Sequence, residues 1–226
     1  MKTLVIAAHP DDEVLGCGGT IARLAGEGHE IHILILGEGI TSRHDSRDRE
    51  AADDLLALHA CCREAGQTLG ARDVVIGDLP DNRFDSVPLL RIVKQIEAAV
   101  ERIRPETVYT QHGGDLNIDH KLVHRATLTA TRPTAGFPVK SVYAYEVASA
   151  TEWSFQEFSP VFRPNVFVDI SRTLDLKIRA MELYASELRP FPHPRSPEAL
   201  RAAAVRWGSV AGLPAAEAFE LIRSVC

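Results

Sequence analysis

Within five residues, His9-Pro10-Asp11-Asp12-Glu13, the chain places one imidazole and three carboxyls directly after a short apolar run, Leu4–Ala8. Adjacent negative charges repel one another unless a cation offsets them. Imidazole with carboxylate is a donor set suited to a borderline cation such as Zn²⁺. Capping of the next helix by Asp11 or Asp12 needs one acid, not three beside a histidine, so it explains only part of the run. A second cluster, Asp115-Leu116-Asn117-Ile118-Asp119-His120-Lys121-Leu122-Val123-His124, spaces His120 and His124 four residues apart. On a helix both share one face and can chelate a metal, so this cluster is a source of one or two further ligands.

The elements that must hold these residues follow from hydrophobic patterning. Leu4–Ala8, Ile31–Leu36, Asp73–Ile76, Thr107–Gln111 and Val139–Val147 read as strands, with Asn165–Ile170 as a sixth. The first two are continuous apolar runs, as for strands buried on both faces. Between the strands, Leu15–Gly26, Ala51–Leu69, Leu89–Ile103 and Asp119–Thr131 read as helices. This alternation predicts an α/β fold, a Rossmann-like open and mostly parallel sheet with right-handed crossovers. After residue 150 the pattern changes: Leu174–Leu188, Pro197–Gly208 and Ala215–Ser224 read as helices around prolines 190, 192, 194 and 197. The expectation is one domain over 1–226, with an α/β core over 1–150 and an α-rich section over 151–226 packed on it. Ligands of such sheets bind beyond the C-terminal strand ends. That rule collects 9–13, 37–49, 81–85 and 112–120 on one rim, rich in His, Asp, Asn and Arg.

Gly16-Cys17-Gly18-Gly19 with Glu38 invites a dinucleotide-binding reading, which we reject. In that fingerprint the first glycine directly follows the strand, so that the pyrophosphate meets a helix N-terminus. Here three acids intervene and would repel it. The glycines are expected to let the helix pack closely on the sheet.

Ala8-His9-Pro10-Asp11-Asp12-Glu13 followed by Gly16-Cys17-Gly18-Gly19 resembles the PIG-L/LmbE family of zinc-dependent N-deacetylases, and Asp119-His120 resembles that family's second metal motif. The resemblance covers residues 1–150. The segment Leu79–Asp85 and the tail motifs Phe191-Pro192-His193-Pro194-Arg195-Ser196 and Ala216-Glu217-Ala218-Phe219 resemble one bacterial branch. The resemblance implies His9, Asp12 and His120 as zinc ligands, with an open fourth position, and Asp11 as general base. It implies removal of acetate from an N-acetylated sugar or sugar conjugate carried on a nucleotide, lipid or thiol. One departure is Asn117, where family members often carry a histidine that stabilises the oxyanion or protonates the leaving amine. Asparagine can donate a hydrogen bond but no proton, so His193 in its proline-flanked loop becomes the candidate acid, or Asp11 shuttles the proton. Arg43 corresponds to a substrate-holding arginine of the family, with Arg47 and Arg49 as competitors. Asp81, Asn82 and Arg83 are candidates to contact sugar hydroxyls, against a plain Asx turn. Glu13 is expected to support the site from behind, and His124 to be a fourth ligand or a supporting group.

Composition sets limits. The 226 residues are 45% hydrophobic and 25% charged, an ordinary globular balance. A net charge of −6 argues against nucleic acid as a partner. The four cysteines, Cys17, Cys61, Cys62 and Cys226, form no CxxC pair, as expected of reduced thiols in a cytoplasmic protein. No apolar run approaches the roughly 20 residues of a membrane span, so no stable membrane insertion is expected, while a homo-oligomer is compatible with the sequence. Two rival readings are a metal-dependent hydrolase of another bond, such as a phosphoester, and a non-catalytic sugar-binding module.

Overall fold

A computed structural model describes residues 1–40 and 49–226, with residues 49–52 described by their backbone alone. The apolar run after Met1 forms β1 (Lys2–Ala7), at the middle of a seven-stranded sheet. Leu4, Ile6 and Ala8 enter the core on one face, and Val5 and Ala7 the core on the other. β2 (Glu30–Gly37) divides its isoleucines and leucines in the same way. Both faces of these strands are buried, which is why the runs are continuously apolar.

Helices α1 (Asp12–Gly26) and α2 (Arg49–Thr68) precede and follow β2; β3 (Asp73–Leu79), α3 (Leu89–Ile103), β4 (Thr107–Gln111), α4 (Ile118–Ala130) and β5 (Ser141–Tyr145) continue the alternation. The C-terminal section adds β6 (Val166–Asp169), α5 (Leu174–Glu182), α6 (Pro197–Ala211) and β7 (Ala216–Ser224). The strand order is β3-β2-β1-β4-β5-β7-β6. The first five strands are parallel, and β7 runs antiparallel between β5 and β6. α1, α2 and α5 supply the core on one face, and α3 and α4 the core on the other.

The expected helix over 215–224 is a strand. Its alanines and glutamates favour helix, but Phe219 pairs with Tyr145 on one side and Val166 on the other. Such tertiary pairing overrides local propensity. The expected helix over 174–188 stops at Glu182.

The glycine run of α1 does permit close packing. A Cβ at Gly16 would lie 2.1 Å from the Tyr145 ring, and one at Gly19 would lie 2.7 Å from Ile170. Two buried charges also reach this backbone. Lys177 Nζ donates to the Leu15 carbonyl, Glu217 accepts from the N–H groups of Gly19 and Thr20, and the two side chains pair at 2.6 Å. The helix that begins with Asp11 and Asp12 is thereby clamped to β7 and α5.

Candidate metal centre and active site

The strand order reverses between β1 and β4, the switch point at which open α/β sheets bind ligands. His9 follows β1, and the segment 112–120 follows β4 into α4. Two clusters 110 residues apart in sequence therefore meet. His9, Asp12 and His120 form a group whose possible ligand atoms lie within 4.8 Å of one another. His9 Nδ1 is 3.5 Å from Asp12 Oδ2, His120 Nε2 is 3.3 Å from the same oxygen, and the two nitrogens are 3.3 Å apart. A tetrahedral ion about 2.0–2.1 Å from each ligand requires ligand atoms about 3.3–3.4 Å apart. The triangle fits zinc as it stands.

A carboxylate hydrogen-bonds the far nitrogen of His9, and another lies beside the far nitrogen of His120 without a hydrogen bond. His9 Nε2 lies 2.9 Å from Asp119 Oδ2, and His120 Nδ1 lies 3.2 Å from Asp115 Oδ2. Carboxylate–histidine pairs of this kind fix ring orientation in zinc sites. Asp119 is held in turn by the Phe84 N–H at 3.0 Å, and Asp12 Oδ2 accepts from the His9 N–H and the Gln111 amide, both at 2.9 Å. Burial opposes a charge on His9, but Asp119, Asp12 and Asp81 outweigh it and push its pKa up to about 10. Burial likewise opposes a charge on His120, and Asp12 and Asp115 raise it to about 9. This is a site whose electrostatics call for positive charge.

Asp11 turns the chain into α1 with φ of 95°, a left-handed conformation unusual for aspartate. Its carboxyl makes no capping bond to the helix. Instead Asp11 Oδ2 accepts from Arg195 Nη1 at 2.8 Å. Arg195 Nη1 also lies 3.4 Å from Glu187, and its Nε donates to Ser149 Oγ at 2.8 Å. Burial drives the Asp11 carboxyl well up, and Arg195 opposes that rise. Glu13 points away from the ligand triangle and accepts from Tyr184 Oη at 2.6 Å; burial pushes it up to about 7.

His9, Asp11, Asp81, Asn82, Asn117 and His120 line a cavity of about 270 Å³, with Arg195 and Glu187 also on its wall. Asn117 caps α4: its side-chain oxygen accepts from the Asp119 N–H at 2.8 Å, and its amide donates to Asn82 Oδ1 at 3.0 Å. Asn82 has φ of 53°, as in a left-handed turn. Arg83 is exposed and is not among the lining residues. His193 does not line the cavity either. Its Nδ1 accepts from the Arg195 N–H at 3.1 Å, and its ring meets Trp153 edge to face. The expected acid thus touches the backbone of Arg195, whose side chain lines the cavity. His124 points back to the Gln111 carbonyl at 2.8 Å, outside the ligand triangle. Arg43 and Arg47 lie outside the described residues, as does the side chain of Arg49.

Sequence reasoning missed Arg195, Glu187 and Asp115. A signal existed for Arg195, which stands two residues past His193 in the same proline-rich run. For Glu187 there was none.

Residues 4–131 match the model of the PIG-L family, described as GlcNAc-PI de-N-acetylase. The chain belongs to the PIG-L family. Diacetylchitobiose deacetylase of Thermococcus kodakarensis is 26% identical over 99% of this chain and 84% of its own length. The 1D-myo-inositol 2-acetamido-2-deoxy-alpha-D-glucopyranoside deacetylase of Rhodococcus jostii is 29% identical over 84% of this chain and 83% of its own. Among solved structures, GalB from Pseudomonas putida KT2440, a 4-carboxy-2-hydroxymuconate hydratase, superposes with a TM-score of 0.79 at 24% identity over 100% of this chain and 98% of that one. The fold therefore also carries a hydratase, so architecture by itself does not name the reaction. Family membership and the named relatives point to deacetylation.

Proposed function

We propose that this protein is a zinc-dependent deacetylase that hydrolyses the amide of an N-acetylated sugar or sugar conjugate. The observation that carries the reading is the His9–Asp12–His120 triangle, sized for zinc, whose two histidines share a cavity with the Asp11 carboxyl. The names of the relatives support the substrate class.

Zinc held by His9, Asp12 and His120 supplies Lewis acidity toward water and an amide carbonyl. Asp119 keeps the His9 imidazole in the orientation that presents Nδ1, and Asp115 lies beside the far nitrogen of His120. Asp11 accepts a proton from the attacking water, and Arg195 holds its carboxylate in place and opposes the rise in pKa that burial imposes. The second amide hydrogen of Asn117 is available to an oxyanion developing at the substrate carbonyl. In the described cavity Asp11 is the group placed to return its proton to the departing nitrogen. Water and amide in, acetate and free amine out, the balance closes. Asn82 and Asn117 face the same space for hydroxyl contacts, and Arg43 keeps its proposed role as a substrate contact.

A phosphoesterase of the two-metal type needs further carboxylates around a second ion. Among the described residues, one group of suitable metal donors is found. A sugar-binding module has no use for a buried acid beside the metal. The test is acetate release from N-acetyl sugars by protein stripped with chelator and then given zinc. Acetate is expected to appear only after zinc returns. Undiminished release from stripped protein, or none after zinc, overturns the proposal.

A further inference from the structure

We propose that the turn over residues 147–152, which follows β5, positions both halves of the site: Ser149 sets Arg195 against Asp11, and Thr151 sets Asp115 beside His120; this rests on the deacetylase reading above. Like the segments after β1 and β4, the turn lies at the C-terminal strand ends. Its own backbone closes it. The Val147 carbonyl accepts from the N–H groups of Ala150 at 3.1 Å and Thr151 at 2.9 Å, and the Ala150 carbonyl accepts from the Leu116 N–H at 3.3 Å. Ser149 has φ of 70°, a left-handed conformation unusual for serine. Strain of this kind persists only where the surroundings over-determine it. Here the Ser149 N–H donates to Glu152 Oε1 at 2.6 Å, which holds the residue in that conformation.

The two hydroxyls of the turn reach different supports. Ser149 lines the cavity, and its Oγ accepts from Arg195 Nε at 2.8 Å while Arg195 Nη1 donates to Asp11 Oδ2 at 2.8 Å. A guanidinium is a rigid planar fork, so holding Nε and one Nη fixes its plane. Thr151 Oγ1 accepts from the Val147 N–H and donates to Asp115 Oδ2, both at 2.8 Å. That same Asp115 oxygen lies 3.2 Å from His120 Nδ1, and the other accepts from the Asn117 N–H at 2.9 Å. Asp115 is fully buried, so its two oxygens stay where these donors put them. Carboxylates behind ligating histidines tune metal affinity. Serine and threonine hydroxyls that serve only a turn bond their own neighbouring backbone. Among the described residues Ser149 Oγ makes no such bond, and Thr151 spends its proton on Asp115. One short segment thus sets the partner of the base and the neighbour of a metal ligand.

The experiment compares the full chain with Ser149→Gly, Thr151→Val and Thr151→Ser. Glycine adopts positive φ at no steric cost, so Ser149→Gly keeps the turn and loses the hydroxyl. Three quantities are read: zinc affinity against a competing chelator, hydrogen exchange at Arg195 Nε by nitrogen NMR with Arg195→Lys to assign the resonance, and kcat and KM on N,N'-diacetylchitobiose. Ser149→Gly should speed exchange at Nε and lower kcat ~10-fold with KM and zinc affinity little changed. Thr151→Val should lower zinc affinity ~10-fold and leave exchange at Nε as it was, and Thr151→Ser should restore the affinity. Should Thr151→Val not fold, Thr151→Cys, whose thiol is a weaker donor, replaces it with a smaller loss in the same direction. Unchanged exchange in Ser149→Gly, unchanged zinc affinity in the Thr151 variant without a hydroxyl, or a loss that Thr151→Ser does not restore, overturns the positioning roles and leaves the deacetylase reading intact. If the unsubstituted protein releases no acetate, the deacetylase reading fails, and the zinc and exchange measurements still decide the positioning roles.

Discussion

Arg195 Nη1 lies 2.8 Å from Asp11 Oδ2, although 184 residues separate them in the chain. A loop from the C-terminal section thus completes a site whose other groups come from the ends of β1 and β4. The pairing matters because Asp11 is buried, and burial favours its protonated, inactive form.

Arg195→Ala should therefore leave zinc content intact and raise the pKa of Asp11. A base works only when deprotonated, so the acid limb of the kcat/KM profile should move to higher pH. Arg195→Lys, which keeps the charge, should restore part of the shift. An acid limb unmoved in Arg195→Ala would show that the arginine does not govern the base.

His193→Ala should leave the alkaline limb of the profile where it is, because that limb reports the essential acid and the His193 ring lies against Trp153 outside the cavity. A displaced alkaline limb would return His193 to the role of acid.

Zinc uptake should weaken as pH falls. Without a cation, His9 and His120 hold protons up to about pH 10 and 9, and zinc binds only their neutral forms. Each step down in pH makes that competition harder. Asp119→Asn removes the carboxylate that orients His9 and should lower zinc affinity ~10–100-fold. Zinc titrations with a competing chelator at several pH values measure both effects. Affinity independent of pH, or unchanged in Asp119→Asn, would contradict the ligand assignment.

Gly16→Ala should destabilise the protein by ~1–3 kcal/mol, the usual range for overpacking. The new methyl would meet the Tyr145 ring, which cannot retreat easily because it is fully buried and its hydroxyl donates to the Ile6 carbonyl at 2.7 Å. Thermal unfolding reads this directly, and an unchanged Tm would mean that the ring yields.

β1 and β2 were legible because they are apolar on both faces, and the alternation through β5 because its helices lie between clear breakers. The triangle was legible because His9, Asp12 and His120 stand in motifs of unusual composition at strand ends. β7 was not, since Ala216-Glu217-Ala218-Phe219 carries helix-favouring residues and becomes a strand only between two partners. His193 stands out in sequence because a histidine can donate a proton at neutral pH, whereas the turn that brings Arg195 inward depends on loop geometry absent from local sequence. The supporting carboxylates Asp115 and Asp119 lay inside the second cluster, but their roles required knowing which nitrogen of each histidine faces the triangle.

If Asp11 is the base beside zinc on an N-acetyl group, turnover depends on its ability to take a proton. Acetate release by zinc-replete Asp11→Asn protein tests it most directly. The substitution keeps the size and polarity of the side chain but cannot accept a proton. Full zinc content is expected, with turnover reduced at least ~10²-fold, the range for loss of general base catalysis. Near-normal turnover with zinc in place would contradict it.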